Sequence, residues 1–355
     1  MDKADLRREM HLYLEKIANA VETKSRLIRN RLMTIFTTYP APLAMKYQPM
    51  KHFFLLAALV VTMCVASSLV AQHPDPFAGT FIFDHDQQRG YRIVAMDEAP
   101  GRTMDAGLFA TADPEVLRRY MPEGGAPASV TTFVLFAGED TVLFDAGLGN
   151  DLWVSKLDEV GVKPESVKLV LLTHMHGDHI GGLLQGNERR FPNAKVLVAR
   201  PEYEWWLARS YTPPAAEQPL RILAAYGTDL AAFNFDDVVF ENSEVKVKAL
   251  DASGHTPGHT VFLIEPKDSQ GERLLILGDL LHAAALQFPR PEVCARFDMD
   301  HERAIAARKR ILDFAAQEKI PVAGMHFPPP HFGIVEKNDQ GGYIFRSEMS
   351  VRFPL

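Results

Sequence analysis

Short apolar runs recur between residues 130 and 325, and most of them end in a polar residue or a glycine. The run Val167–Thr173 contains β-branched residues and no Gly or Pro, which predicts a buried strand. The runs Val130–Phe136 and Thr141–Asp145 flank a short Gly-containing turn and predict a β-hairpin. Further predicted strands are Lys195–Ala199, Val245–Leu250, Leu274–Leu277 and Ile320–Met325. Helical spacing at residues 152–160 and 299–317 completes an alternation that predicts the α/β or α+β class.

Residues 53–72 form a longer apolar segment without any charge. Lys46 and Lys51 precede it and small residues around Ala71 end it, which indicates a secretory signal peptide, although its length also fits a membrane anchor. We expect an exported protein, periplasmic or secreted, that is cleaved near Ala71. A membrane-anchored protein that retains residues 53–72 is the alternative.

The chain therefore divides into three predicted regions. Residues 1–52 are an N-terminal leader with the apolar spacing of an amphipathic helix, and residues 53–72 are the signal peptide or anchor. Residues 73–355 are the predicted catalytic domain. Its roughly 280 residues suit one α/β domain built on two sheets.

Charge is distributed unevenly along the chain. Residues 1–52 hold ten basic and five acidic side chains, residues 53–72 hold neither, and the rest holds 28 basic and 40 acidic ones. Such an acidic domain repels phosphate backbones, so we expect a small-molecule substrate and no nucleic-acid partner. A membrane partner is expected only if residues 53–72 are retained, and a homodimer stays open. Cleavage after the apolar segment would leave Cys294 as the one thiol, so no intrachain disulfide is expected.

The strongest chemical signal lies in residues 173–182, which read THMHGDHIGG. Four side chains of metal-ligand type, His174, His176, Asp178 and His179, fall within six positions directly after a predicted strand. If the chain stays extended, His174 and His176 point to the same side and can share one metal ion. We expect a tight turn at Gly177 to direct the other two side chains to a second ion.

Other strand ends offer the ligands that such a site still lacks. His255 lies in a loop bounded by Gly and Pro after Val245–Leu250, and Asp279 follows Leu274–Leu277. A carboxylate at position 279 can present one oxygen to each of two metal ions. His259 begins the next apolar stretch and is predicted to bond to the backbone instead. His326 also ends an apolar run, but by itself it could equally be an ordinary histidine.

The order of these pieces resembles the metallo-beta-lactamase superfamily over residues 90–335. The resemblance implies a four-layer αββα sandwich with a two-metal site at one edge of its sheets. It also implies that Asp145 supports the ligand loop from behind. The implied ligands are His174, His176 and His255 for the first ion, Asp178, His179 and His326 for the second, and Asp279 for both.

The segment Gly278–Phe288, with Phe297-Asp298-Met299-Asp300 and the helix after it, is similar to the methyl parathion hydrolase branch. Trp206 falls where that branch has a tryptophan in its leaving-group pocket. The chain departs from that branch in a shorter 207–245 stretch, in the segment after His326, and in having a histidine at position 282.

The resemblance implies a hydrolase that uses hydroxide bridging two divalent metal ions, with zinc as the expected metal. Asp178, Asp279 and His282 are the predicted catalytic residues, with His282 either donating a proton or hydrogen bond to the reacting oxygen or supporting a ligand. The expected substrate is an uncharged ester-type molecule, that is, a phosphotriester, a lactone or an aryl or alkyl ester. No Gly-x-Ser-x-Gly elbow competes for the role of nucleophile.

Four aromatic residues are predicted to line the substrate pocket, namely Trp205, Trp206, Phe288 and Phe327. The two tryptophans are adjacent on a predicted helix and cannot both face one core, so one of them should border a cleft. Two alternative functions stay open: a mononuclear iron enzyme similar to persulfide dioxygenases, and a non-catalytic metal-binding domain tethered to a membrane.

Overall fold

A computed structural model describes residues 80–84, 91–109, 111–208, 217–268 and 272–347. The chain divides between His73 and Pro74, and all described residues belong to the second unit. The predicted leader, residues 1–52, and the predicted signal peptide or anchor, residues 53–72, lie outside the described residues. Within the described ranges, no helix is both long enough and apolar enough to cross a membrane.

Strands make up most of the regular structure. In chain order they are β1 (Thr80–Asp84), β2 (Tyr91–Asp97), β3 (Thr103–Asp105), β4 (Gly125–Pro127), β5 (Thr131–Ala137), β6 (Asp140–Phe144), β7 (Leu169–Leu171), β8 (Leu184–Gln185), β9 (Glu188–Arg189), β10 (Lys195–Ala199), β11 (Leu230–Phe233), β12 (Val238–Glu241), β13 (Val245–Asp251), β14 (Thr260–Pro266), β15 (Leu274–Ile276), β16 (Val322–Ala323), β17 (Phe332–Lys337) and β18 (Tyr343–Arg346).

The helices are shorter and lie between the strands along the chain. They are α1 (Pro114–Tyr120), α2 (Asp151–Glu159), α3 (Gly177–Ile180), α4 (Arg200–Ala208), α5 (Glu217–Tyr226), α6 (Ala284–Gln287) and α7 (His301–Glu318). Both helices predicted from apolar spacing, at residues 152–160 and 299–317, are present as α2 and α7. The side chains of Asn150 and Asp300 accept hydrogen bonds from the first turns of α2 and α7, which fixes where these helices begin.

Two seven-stranded sheets form the framework of the fold. The first has the order β1-β2-β5-β6-β7-β10-β11, antiparallel from β1 to β6 and parallel from β6 to β11. The second has the order β12-β13-β14-β15-β16-β17-β18 and is antiparallel except between β15 and β16. The predicted hairpin is confirmed as β5 and β6, which pair from Ala137 opposite Asp140.

The central strands of each sheet, such as β5, β7 and β15, are buried on both faces, which explains why they read as continuous apolar runs. In β5, Phe133 and Leu135 point into the core between the sheets, whereas Val134 points to the outer face and packs near α2, α4 and α5. In β14, Phe262 faces the same inter-sheet core and Val261 packs toward α7. The layers are therefore helix, sheet, sheet and helix, which confirms the predicted four-layer sandwich.

Candidate metal centre

The predicted ligands are brought together where several strands end. His174 and His176 follow β7 of the first sheet, whereas His255, Asp279 and His326 follow β13, β15 and β16 of the second. In the second sheet, β13, β15 and β16 run in the same direction, so their carboxyl ends lie at one edge of that sheet. The fold thus places ligands that are far apart in sequence side by side.

The turn after His176 is helical. Gly177 begins the single-turn helix α3, in which Asp178 and His179 follow directly. Gly177 is not among the glycines with positive φ, so this turn does not use the left-handed conformation that glycine permits. The tight turn expected at Gly177 is present, and it redirects Asp178 and His179.

Three imidazole nitrogens meet at one point. His176 Nδ1 lies 3.0 Å from His174 Nε2 and 3.0 Å from His255 Nε2, and the two Nε2 atoms are 3.2 Å apart. A proton shared by one pair leaves the third nitrogen unsatisfied, so mutual hydrogen bonding does not explain the cluster. Tetrahedral ligands at about 2.0–2.1 Å from zinc are roughly 3.3 Å apart, so the three nitrogens fit one ion.

A second group lies beside the first and consists of Asp178, His179 and His326. Ligand atoms of these three residues all lie within 4.8 Å of one another. Asp178 Oδ1 is 3.8 Å from His179 Nε2, and Asp178 Oδ2 is 3.7 Å from His326 Nε2. Two nitrogens and a carboxylate suit a divalent transition-metal ion.

Asp279 lies between the two groups, with its oxygens directed to different sides. Oδ1 is 3.0 Å from His179 Nε2, Oδ2 is 3.4 Å from His255 Nε2, and His326 Nε2 is 3.2 Å from each of the two oxygens. The preceding Gly278 has φ of +57°, and a Cβ there would come within 2.6 Å of the His259 ring. Glycine is therefore required to bring the Asp279 carboxylate between the two groups.

The electrostatics of the first group favour a metal ion over protons. Burial lowers the pKa of His255 to about 3 and that of His176 to about 4, and it holds the pKa of His174 well below its ordinary value. These imidazoles are therefore neutral at pH 7, and neutral imidazole is the form that binds metal. No proton has to be displaced from them.

The second group carries more negative charge around its histidines. Burial alone would lower the pKa of His179, but the carboxylates of Asp279, Asp145 and Asp178 outweigh it and raise that pKa well above its ordinary value. Burial is outweighed in the same way at His326, where Asp279 and Asp178 raise the pKa. A site that attracts protons this strongly also attracts a divalent cation that can replace them.

Four of the ligand rings have a contact on their other side that orients them, namely those of His174, His179, His255 and His326. Asp145 Oδ2 lies 2.7 Å from His179 Nδ1 and accepts from the Thr173 hydroxyl at 2.7 Å. His326 Nδ1 donates to the Ser129 carbonyl at 2.8 Å. These contacts fix which nitrogen faces the cluster, as supporting residues do around metal sites. The support by Asp145 that the resemblance implied is thus present in the structure.

A cavity of about 530 Å³ opens onto the two groups. Trp206 lines it, and its ring meets that of His176 edge to face at 6.3 Å. Trp205, its neighbour on α4, packs instead against the cluster on the outer face of the first sheet. The other side chains that form apolar parts of the wall are Met104, Leu108, Met175, Pro219, Phe297 and Met299.

Phe288 and Phe327 do not line this cavity, contrary to the expectation. Both are almost fully buried in the core between the second sheet and α7, where their ring centroids lie 5.4 Å apart. Phe288 also stacks on Phe345 of β18 at 4.7 Å. Each residue is near a proposed metal ligand in sequence, but its side chain points away from the sheet edge that carries the ligands and toward α7.

The comparison with known proteins agrees with this arrangement. A sequence model of the metallo-beta-lactamase superfamily matches residues 125–320, which is more than half of the 355-residue chain. The chain belongs to the metallo-beta-lactamase superfamily.

Relatives within the metallo-beta-lactamase superfamily include lactonases and thioesterases. The N-acyl homoserine lactonase AttM of Azorhizobium caulinodans is 29% identical over 117 residues, which are 31% of this chain and 41% of that protein. The chain spans 38 to 62% of the length of the curated relatives that it matches most strongly.

Two solved structures resemble this chain over about three quarters of its length. The hydrolase AbOPH is 25% identical with a TM-score of 0.66, over 75% of this chain and 96% of its own. AidC, a dizinc quorum-quenching lactonase, is 23% identical with a TM-score of 0.66, over 76% of this chain and 98% of its own. The likeness to AidC shows the shared fold alone.

His282 of this metallo-beta-lactamase domain is placed close to both groups of ligands. Its Nε2 lies 3.2 Å from Asp279 Oδ2, and its ring stacks on His326 at 5.6 Å. Among the described residues, neither ring nitrogen has a hydrogen-bond partner, although the ring is buried and borders the cavity. His282 therefore borders the cavity beside Asp279, where it can contact a bound molecule.

Two supporting residues of this metallo-beta-lactamase domain escape prediction from the sequence. Asp298 Oδ1 lies 3.0 Å from His255 Nδ1, and Arg308 of α7 binds Asp298 Oδ2 at 3.1 Å. Glu202 of α4 is fully buried beside the ligand loops. For Glu202, the available sequence signal is an acidic residue on an otherwise buried helix face. For Asp298, no sequence signal links the residue to His255.

Proposed function

We propose that the protein is a metal-dependent hydrolase with two divalent metal ions. The observation that carries the proposal is the placement of Asp279, whose oxygens face two separate groups of ligand atoms. His174, His176 and His255 would hold one ion, Asp178, His179 and His326 the other, and Asp279 both. We expect zinc, because its preferred ligands are the imidazole and carboxylate groups found here.

When bound, the two ions would supply hydroxide at neutral pH and stabilise the negative charge that develops on a carbonyl or phosphoryl oxygen. The protein's own residues position the reacting molecule. The Asp178 carboxylate is 28% exposed and lines the cavity, so it would border the reacting atoms. The His282 imidazole lies beside Asp279 in the cavity wall and can donate a hydrogen bond or a proton to the departing oxygen.

The proposed substrate is an uncharged ester-type molecule: a phosphotriester, a lactone, or an aryl or alkyl ester. Support comes from the cavity, where Trp206, Met175 and Phe297 form an apolar wall beside the ligand atoms. The location of Trp206 in this wall also supports a position near the methyl parathion hydrolase branch. Lactonases among the relatives support ester-type chemistry more generally.

A direct test is an activity screen of the metal-loaded protein on one phosphotriester, one lactone and one aryl ester. We expect hydrolysis of at least one class, and loss of that activity after chelation and its return with Zn²⁺. Elemental analysis of the same sample should give two metal ions per chain. A single bound iron with no hydrolysis would favour the persulfide dioxygenase-like alternative and contradict the proposal.

We also propose that the protein acts after export, in the periplasm or outside the cell. The uncharged apolar segment 53–72 supports this, together with the acidic balance of the residues that follow it. In the alternative, the same segment is retained and anchors residues 73–355 to the membrane.

A further inference from the structure

We propose that Glu202 is a positioning residue that sets the spacing of the three histidines at the first metal site. This inference rests on the proposed metal centre and adds a residue that does not touch the ions. Glu202 lies in the first turn of α4 and is completely buried. A buried carboxylate is costly unless donors surround it, so its partners indicate what it does.

One oxygen of Glu202 holds the loop of His174 and His176. Oε1 accepts a hydrogen bond of 3.0 Å from the backbone N–H of Met175, the residue between these two histidines. Fixing that peptide restrains the backbone on both sides of it. The directions of both imidazoles therefore depend on the position of Glu202.

The other oxygen holds the loop of the third histidine. Oε2 accepts a hydrogen bond of 3.0 Å from the backbone N–H of Gly258, three residues after His255. A Cβ at position 258 would lie 2.3 Å from the Glu202 backbone nitrogen, so the two segments are in direct contact. The Met175 loop comes from the first sheet and the Gly258 loop from the second, and one carboxylate joins them.

A third donor connects this carboxylate to the cavity. The indole Nε1 of Trp206, one turn later on α4, donates to Glu202 Oε1 at 2.8 Å. Trp206 lines the cavity and touches the His176 ring by its edge. The cavity wall and the three-histidine group are thus held by the same side chain.

These contacts require a carboxylate and not merely a polar group. These three partners are all N–H donors, and a carboxylate offers acceptors only. Against burial, which raises the pKa of the carboxyl, the Thr256 hydroxyl is a further donor that lowers it. A glutamine would turn an NH₂ group toward either Gly258 N–H or the Met175 and Trp206 donors. One of the two loops would then lose its hydrogen bond and meet a second donor, which is unfavourable in a buried site.

The test is to titrate metal-free full-length protein with Co²⁺ and to follow its visible absorption and its competition with a chelator. We expect Glu202→Gln to weaken binding at the three-histidine site about 10- to 100-fold, the usual effect of losing a supporting residue, and to change the Co²⁺ spectrum. Glu204→Gln, an exposed change on the same helix, should match the wild type. Wild-type affinity and spectrum in Glu202→Gln would overturn the inference.

A second variant keeps the test decisive if Glu202→Gln does not fold, as judged by circular dichroism. Gly258→Ala retains the carboxylate but places a Cβ 2.4 Å from that of Glu202, so it separates the loop from α4. We expect the same loss of Co²⁺ affinity, and unchanged binding would again overturn the inference. A wild-type protein that binds no metal would instead contradict the proposed function, so the two failures are distinguishable.

Discussion

The backbone N–H of Asp279 donates a hydrogen bond of 2.9 Å to Nε2 of His259. The ring in turn donates from Nδ1 to the Ala252 carbonyl at 3.1 Å, so neither nitrogen is available to a metal ion. Burial lowers the pKa of His259 to about 4, which keeps the ring neutral and able to accept at Nε2. His259 therefore holds the loop of Asp279 from the protein side, as its position in the sequence predicted.

We predict that His259→Ala lowers the free energy of unfolding by about 2 kcal/mol, because a buried N–H and a buried carbonyl lose their partners. Urea denaturation of the metal-free protein measures this. His301→Ala, an exposed histidine at the start of α7, is the control and should change little. If the two variants have equal free energies of unfolding, water replaces the hydrogen bonds of the His259 ring without a loss of stability.

Asp279→Ala should remove both metal ions, because its oxygens face both ligand groups. Elemental analysis after gel filtration decides the matter. Asp158→Ala, an exposed change on α2, should retain two ions. Two ions kept by Asp279→Ala, or only one in the wild type, would contradict the dinuclear assignment.

His282→Ala should keep both ions but reduce turnover, by about 100-fold on esters with poor leaving groups and less on those with good ones. The reason is that a departing oxygen of high basicity needs a proton, whereas a stable phenolate does not. The measurement is kcat across a series of leaving groups. Loss of metal in the variant, or a parallel decrease for all leaving groups, would assign His282 a structural role instead.

Glu98 should make the metal-free protein less stable as pH rises. Burial raises the pKa of its carboxyl from 4.5 to about 8, against hydrogen bonds from Leu148 and Gly149 that lower it. Between these two values the folded protein holds a proton that the unfolded chain has lost, so stability decreases with increasing pH. Glu98→Gln lacks this titration.

The variant should therefore gain on the order of 2 kcal/mol relative to the wild type between pH 5 and pH 7. Denaturation curves at several pH values, with a chelator present, measure the difference. If the free energies of unfolding of the two proteins change in parallel across this pH range, Glu98 is ionised in the folded protein.

Export predicts that the mature protein begins near Gln72. N-terminal sequencing of protein recovered from the periplasm or medium tests this. Full-length protein in the soluble cytoplasmic fraction would contradict export, whereas full-length protein in membranes would favour the retained anchor.

Much of this fold is predictable because its central strands are buried on both faces. After Lys168, the run Val167–Thr173 has no polar residue until Thr173 at the edge of the sheet, so it marks both a strand and the place where polar side chains become accessible. The same reasoning located Asp279 at the end of Leu274–Leu277. The strand itself is shorter than the apolar run, because β7 ends at Leu171 and residues 172–176 continue without regular pairing.

The cavity wall was less predictable, because proximity in sequence does not fix the direction of a side chain. Phe288 is nine residues from Asp279, yet it faces the outer layer and stacks on Phe345. Arg308 lies far from every ligand in sequence, yet it reaches Asp298 behind His255. Such contacts depend on how the layers meet, which local patterns do not encode.

The contact between Arg308 and Asp298 joins the outermost layer of the fold to a proposed ligand. Arg308 is 1% exposed and also donates to the carbonyls of Leu280, Pro291 and Val293, so it is satisfied only while α7 is docked. If α7 detaches, Asp298, which orients the His255 ring, loses its counter-charge. We therefore expect that opening of this helix weakens the three-histidine site, so that a chelator would remove a bound ion faster from a protein in which α7 is destabilised.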